Sequence, residues 1–241
     1  MPWKWQMVRF LAGKEAAVHA DAVIISDLHL GMEASLFERG VRASDVSEKL
    51  ADKTIDVLEE TGKKKLIVLG DVKEKVVGVP WEMKKYFEGL EGQGEIIVVK
   101  GNHDGGIEKV PGIEVIGAGG FVYRKLGLFH GHAWPSEEVM GCGTVIMGHN
   151  HPQAKLAGEW KPVWVEARPE KKNIEKKYPG YNKRIKLILM PSFNPLLGTN
   201  IVKSEGLGPV LRNKLFKLNT AIVYTLGGTK IGKLGELFKR L

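Results

Sequence analysis

The sequence predicts an α/β fold of two packed sheets flanked by helices, and three observations lead to it. The first is the stretch Glu95–Asp104. Its run Glu-Ile-Ile-Val-Val-Lys is apolar and β-branched, as in a strand buried on both faces, and it stops at Gly101 with Asn102, His103 and Asp104 directly after. The second is recurrence. Ala22–Ser26 runs into Asp27-Leu28-His29, and Lys65–Leu69 into Gly70-Asp71. Leu126–Phe129 runs into His130-Gly131-His132, and Thr144–Met147 into Gly148-His149-Asn150-His151. In α/β proteins such strand ends form the rim where ligands bind. The third is a change of character after Asp104, from alternating strands and helices to closely spaced short strands.

Taken in order, Trp3, Trp5 and Met7 alternate with polar neighbours, and Ala16–Ala20 adds a second extended piece. This reads as an antiparallel pair leading into the Ala22–Ser26 strand. From Asp45 to Thr61 the apolar positions Val46, Leu50, Ile55, Val57 and Leu58 lie between charges, the pattern of an amphipathic helix ended by Gly62. The Lys65–Leu69 strand, a helix from Trp81 to about Leu90 and the Glu95–Lys100 strand complete a β-α-β-α-β succession, which favours parallel pairing. Short strands follow around Glu114, Phe121–Arg124 and Leu126–Phe129, with a short helix near Ser136–Met140 before Thr144–Met147. Val163–Glu166, Ile185–Met190 and Ala221–Leu226 are further extended segments. No internal repeat or low-complexity linker interrupts the chain, and one domain over residues 1–241 is the expected count.

Composition narrows the setting. Of 241 residues, 43% are hydrophobic, enough for a sizeable core. Cys142 is the only cysteine, which excludes an internal disulfide and fits a reducing, cytoplasmic compartment; in Gly-Cys-Gly it reads as a buried thiol. The longest apolar runs are strand-length, so no membrane span is expected. Abundant lysine and glutamate with three glutamines lean toward a thermophilic source. The net charge is +8, and residues 168–186 hold eight basic side chains against Glu170 and Glu175. That segment reads either as a solvated surface loop or insertion, or as a patch attracting nucleic acid or another polyanion.

Six of the seven histidines lie in the strand-end clusters; His19 alone does not. Carboxylate, amide and imidazole without thiolate form a ligand set for first-row divalent metals. The ordered motifs Asp-x-His, Gly-Asp, Gly-Asn-His-Asp, His-Gly and Gly-His-x-His, spanning Asp27 to His151, resemble those of the calcineurin-like metallophosphoesterase superfamily. Asp27–Glu33, Gly148–Pro152 and Met190–Pro195 are similar to the SbcD-related archaeal phosphoesterases. The resemblance implies a four-layer α-β-β-α sandwich with two divalent metal ions at the strand ends: manganese foremost, with iron, zinc and nickel also suited.

On the same resemblance, Asp27, His29, Asp71 and His151 would hold one ion, and Asp71, Asn102, His130 and His149 the other, Asp71 bridging. The pair would activate a bridging hydroxide against a phosphomonoester or phosphodiester, His103 would protonate the leaving oxygen, and Asp104 would orient His103. Either His130 or His132 fits the fourth motif; the family pattern points to His130 and leaves His132 lining the cleft against substrate. His19 reads as a surface histidine, and Glu33 and Arg39 as solvated positions, with contact to substrate the alternative. Lys73 and Glu74 stand where many relatives carry a second acid. Ser192 and Asn194, between prolines, read as turn formers. Two other functions compete with a phosphatase or phosphodiesterase. One is an SbcD-like nuclease acting on DNA ends; the other is a non-catalytic scaffold on this fold.

Overall fold

The computed structural model describes residues 4–5, 8–42, 44–76, 78, 80–201 and 206–238. The alternating residues Trp3 and Met7 lie outside the described residues. The first sheet comprises β1 (Lys4–Trp5), β2 (Val8–Phe10), β3 (Ala17–His19), β4 (Ala22–Ile25), β5 (Lys65–Leu69), β6 (Glu95–Val99) and β7 (Ile113–Ile116). They lie side by side in chain order, antiparallel from β1 to β4 and parallel from β4 to β7. Parallel neighbours need crossovers, and α2 (Ser47–Thr61) and α3 (Trp81–Gly89) supply two of them; α1 (Met32–Glu38) precedes α2.

The second sheet comprises β8 (Phe121–Tyr123), β9 (Leu126–Phe129), β10 (Thr144–Met147), β11 (Pro152–Leu156), β12 (Glu159–Ala167), β13 (Lys186–Leu189), β14 (Thr199–Asn200), β15 (Ile222–Thr225) and β16 (Lys230–Lys233). Its spatial order is β14-β11-β12-β13-β10-β9-β8, with β15 and β16 joined through β12. At its centre β9, β10 and β13 are parallel. Short helices α4 (Glu137–Met140), α5 (Lys171–Lys177), α6 (Gly208–Arg212) and α7 (Leu234–Phe238) follow in the second half.

Strand alternation sorts the second sheet into two faces. Ile146, Trp164 and Ile188 turn inward and join the core built on the first sheet, α2 and α3. Their neighbours Val145, Met147, Val163, Val165, Leu187 and Leu189 turn outward and join Val139, Ile174 and Leu211 of the overlying helices. The layers are therefore helix, sheet, sheet, helix. Phe10 and Trp164 meet edge to face across the middle, ring centres 4.2 Å apart. No helix among the described residues is long and apolar enough to cross a membrane.

Two sequence expectations are corrected here. Residues 168–186 are not a solvated surface loop throughout. They contain α5, and Ile174, Tyr178, Tyr181 and Ile185 are buried in the outer core. The charges had masked a helix with one apolar anchor. His19 is not a surface residue either. It is 4% exposed, and its Nε2 lies 3.2 and 3.1 Å from the carbonyls of Tyr123 and Arg124 in the β8–β9 turn. One imidazole thus ties the first sheet to the second.

Candidate metal centre

All five strand-end clusters converge at the carboxyl ends of β4, β5, β6, β9 and β10. The chain leaves these strands under strain. Asp27, His29, Asp71, His149 and His151 have φ of 57°, 41°, 49°, 65° and 39°, the left-handed region that L-residues occupy at a cost of about 1–3 kcal/mol each. Half of the described non-glycine residues in that region are therefore these five. Two glycines make the approach possible. A Cβ on Gly101 would lie 2.2 Å from Asp71 Oδ1, and one on Gly148 would lie 2.0 Å from Ser26 Oγ.

The ligating atoms of Asp27, His29 and His151 lie within 4.8 Å of one another, as do those of Asp71, His130 and His149. Asp71 Oδ2 stands between the groups, 3.4 Å from both His29 Nε2 and His130 Nε2. Asp27 Oδ1 is 3.1 Å from His130 Nε2 and from His151 Nε2. His29 Nε2 and His151 Nε2 are buried and face these oxygens without making a hydrogen bond. Lone-pair donors converging from several sides, with their hydrogen-bonding capacity unspent, are the arrangement a cation needs. The residues therefore fit bound divalent metal.

The electrostatics agree. Burial opposes charge on Asp27 and Asp71, yet the surrounding imidazoles outweigh it and hold both carboxyls far below the usual range. Burial likewise opposes a proton on His29 and His130. The carboxylates of Asp71 and Glu74 pull His29 up to about 10, and those of Asp27 and Asp71 pull His130 up to about 9. Burial and then the His130 charge push His149 down to about 4. Protons on His29 and His130 thus balance negative charge that a metal cation would otherwise balance.

The supporting contacts differ from the sequence expectation at three places. Asp104 is fully buried, but its oxygens accept from the backbone N–H of Val72 at 2.9 Å and of Gly101 at 2.8 Å. It braces the ends of β5 and β6; it does not orient His103. The His103 ring instead sets Nδ1 against the Glu74 carbonyl, and its backbone N–H donates to Asp71 Oδ1 at 2.9 Å. Glu33 is not solvated. It is 9% exposed with both carboxylate oxygens unpartnered, and burial followed by the charges of Asp45 and Glu82 pushes its carboxyl up.

Glu74 is the functional residue that sequence reasoning left without a role. Its Oε2 accepts from His29 Nδ1 at 2.7 Å, which leaves Nε2 to face the cluster. The ladder puts it there. Leu30 N–H donates to Val72 O at 2.9 Å and Glu74 N–H to Leu30 O at 3.0 Å, so the pairing of β4 and β5 continues into their loops. An acid three residues past Gly70-Asp71 was the available signal.

Other expected residues sit as follows. Asn102 is exposed in the same loop as His103. His132 Nδ1 lies 2.9 Å from His130 Nδ1, behind the ring whose Nε2 meets the carboxylates. Arg39 is exposed. Ser192 and Asn194 do form a turn, and it latches the end of β13 onto the first loop. Ser192 Oγ donates to Asp27 O at 2.8 Å and Asn194 Nδ2 to Leu28 O at 2.7 Å.

Neither a protein-family model nor a curated protein matches the chain. Among solved structures, a nuclease MPE of Pseudomonas putida aligns over 94% of this chain and 96% of its own, at 21% identity and a TM-score of 0.63. YfcE, a phosphoesterase from E. coli, aligns over 88% of this chain and 96% of its own, at 14% identity and a TM-score of 0.43, too low to bear on the fold. The first likeness carries the architecture.

Proposed function

We propose that this chain, whose fold is that of the calcineurin-like metallophosphoesterases, hydrolyses phosphomonoester or phosphodiester bonds at a centre for two divalent metal ions. The observation that carries this is the position of Asp71 Oδ2, 3.4 Å from an imidazole nitrogen of each ligand group. A single carboxylate serving two groups is what a dinuclear site requires. Asp27, His29, Asp71 and His151 would hold one ion, and Asp71, Asn102, His130 and His149 the other. The oxygen and nitrogen donors suit manganese, iron, zinc or nickel. Such ions supply Lewis acidity toward phosphoryl oxygens and an activated water at neutral pH.

The protein's own groups do the rest. Glu74 fixes the His29 tautomer by accepting from Nδ1. The backbone N–H of His103 holds the Asp71 carboxylate in place. With Nδ1–H of His103 donating to the Glu74 carbonyl, Nε2 is the ring nitrogen left for substrate, and the imidazolium form of His103 would act as general acid by giving its Nε2 proton to the leaving oxygen.

A test follows from what a general acid does. An alkoxide must be protonated as it leaves, whereas a nitrophenolate departs unaided. His103→Gln is expected to cost roughly 10²–10⁴-fold on an alkyl or sugar phosphate and far less on a nitrophenyl ester, with metal content unchanged. Equal losses on both esters would make His103 a positioning group, and lost metal would make it a ligand. A nuclease is the second reading, favoured by the exposed lysines of α5.

A further inference from the structure

Trp134 lies two residues beyond His132, which sets their Cα atoms no more than about 7 Å apart. Its side chain is 37% exposed. The Lys177 ammonium sits 4.6 Å from the centre of the indole, and the Tyr178 ring meets it edge-on at 6.3 Å. Tyr178 Oη donates to Pro135 O at 2.8 Å. These contacts fasten the C-terminal end of α5 to the loop that carries His130 and His132.

Along α5, Lys171, Lys172, Lys176 and Lys177 are exposed and have no carboxylate partner among the described residues. On and beside α5, Glu175 pairs with Lys183 at 2.6 Å and Glu170 with Lys217 at 3.2 Å; Glu137, three residues past Trp134, is exposed, and burial and then its charge raise the Tyr178 phenol. The basic surface continues into a cleft of about 610 Å³ lined by Lys172, Arg212 and Lys214. Arg212 ends α6, whose first residue Gly208 is packed so closely on Gly131 that a Cβ would lie 2.0 Å from its carbonyl oxygen. A five-residue helix is about 7 Å long, so the cationic surface begins beside the centre and runs away from it.

Unpaired ammonium groups in a row attract a polyanion. An exposed indole among them adds a surface for a flat ring, and a base offers its face freely only when it is not stacked within a duplex. We infer that Trp134 and the lysine face of α5 bind single-stranded nucleic acid, with a base on the indole and phosphates on Lys172, Lys176 and Lys177. A nucleic-acid strand is then the substrate class of the centre, an inference that rests on the phosphoesterase reading.

The experiment is fluorescence anisotropy of a labelled oligothymidylate, in EDTA so that binding is read without turnover. Trp134→Ala is expected to weaken binding roughly tenfold, and Trp134→Phe, which keeps a stacking ring, only severalfold at most. Replacing Lys172, Lys176 and Lys177 together with Gln should flatten the log–log salt dependence by about 2. Turnover of a nitrophenyl ester by the manganese-loaded protein should be unchanged in every variant, which also reports folding. Oligonucleotide affinity untouched by Trp134→Ala overturns the inference, as does an equal loss on duplex DNA. Equal competition by phosphatidylserine vesicles would replace the strand with an anionic membrane surface. Ester turnover without oligonucleotide binding sinks the track and leaves the phosphoesterase reading standing. Binding without turnover of any ester does the reverse.

Discussion

The centre is built from two unlike banks. From the first sheet come all its acids, Asp27, Asp71, Glu74 and Asp104, together with His29 and His103. From the second come only imidazoles, those of His130, His132, His149 and His151. The acids are braced mainly by backbone: Asp71 by His103 N–H, Asp104 by Val72 and Gly101 N–H, and Asp27 by His149 N–H at 3.1 Å. The imidazoles brace one another, with ring centres of His130 and His149 4.8 Å apart and those of His130 and His132 5.1 Å apart. The acids therefore follow three adjacent parallel strands in chain order, β4, β5 and β6, the most regular part of the molecule. Imidazole donors arrive from across the sandwich. Neither bank is a site alone, so the contacts that pack the sheets, Phe10 on Trp164 and the Ser192–Asn194 latch, are as necessary as the ligands.

Removing the group that joins the banks should have the largest effect. Asp71→Asn keeps the shape and most hydrogen-bonding capacity but loses the charge facing both imidazoles. Turnover is expected to fall at least 10²–10³-fold, roughly the cost of losing a key electrostatic contact, and elemental analysis should find both metals depleted. A fully active, fully loaded Asp71→Asn protein would dissolve the two-metal assignment.

The next test compares the two buttresses. Glu74 fixes His29 through a charged acceptor, whereas His132 supports His130 through a second imidazole. Glu74→Gln should weaken metal binding or activity about 10–100-fold. His132→Ala should do less, because the carboxylates of Asp27 and Asp71 already orient His130. Metal titrations of the two variants measure this. A larger loss from His132→Ala would mean that the second bank depends on its own packing more than on the acids opposite.

The smallest effect concerns an acid on the first-sheet side that serves no ligand. Glu33 is buried beside Asp45 and Glu82, and its folded carboxyl is raised above the unfolded one. Between those two values the folded protein holds the extra proton. Its stability therefore declines as pH rises from the ordinary glutamate value, about 4.3, through the raised one. Glu33→Gln should flatten that decline and raise Tm at neutral pH by roughly 2–4 °C, the shift about 1 kcal/mol gives a chain of this size. Melting curves across pH decide it; an unchanged pH dependence would mean that Glu33 ionises freely in the folded protein.

Much of this architecture could be read from residue order, because its signals are local. A β-branched run ending in Gly and then Asp, Asn or His encodes both a buried strand and what its tip carries. Asp45–Gly62 encodes a helix and its left-handed stop, realised at Gly62 with φ 64°. Consecutive β-α-β units leave few choices for strand order. What remained illegible depends on partners distant in sequence. His19 is buried because a turn 104 residues away offers its carbonyls. The α5 lysines lie on a helix because Ile174 finds a core beneath them. Asp104 serves two amides, and Glu74 takes the histidines, because the β4 and β5 loops stay in register past the sheet. Side-chain identity supplied the chemistry of the centre. Which atom faces which was settled only when two sheets, each incomplete as a site, buried their inner faces together.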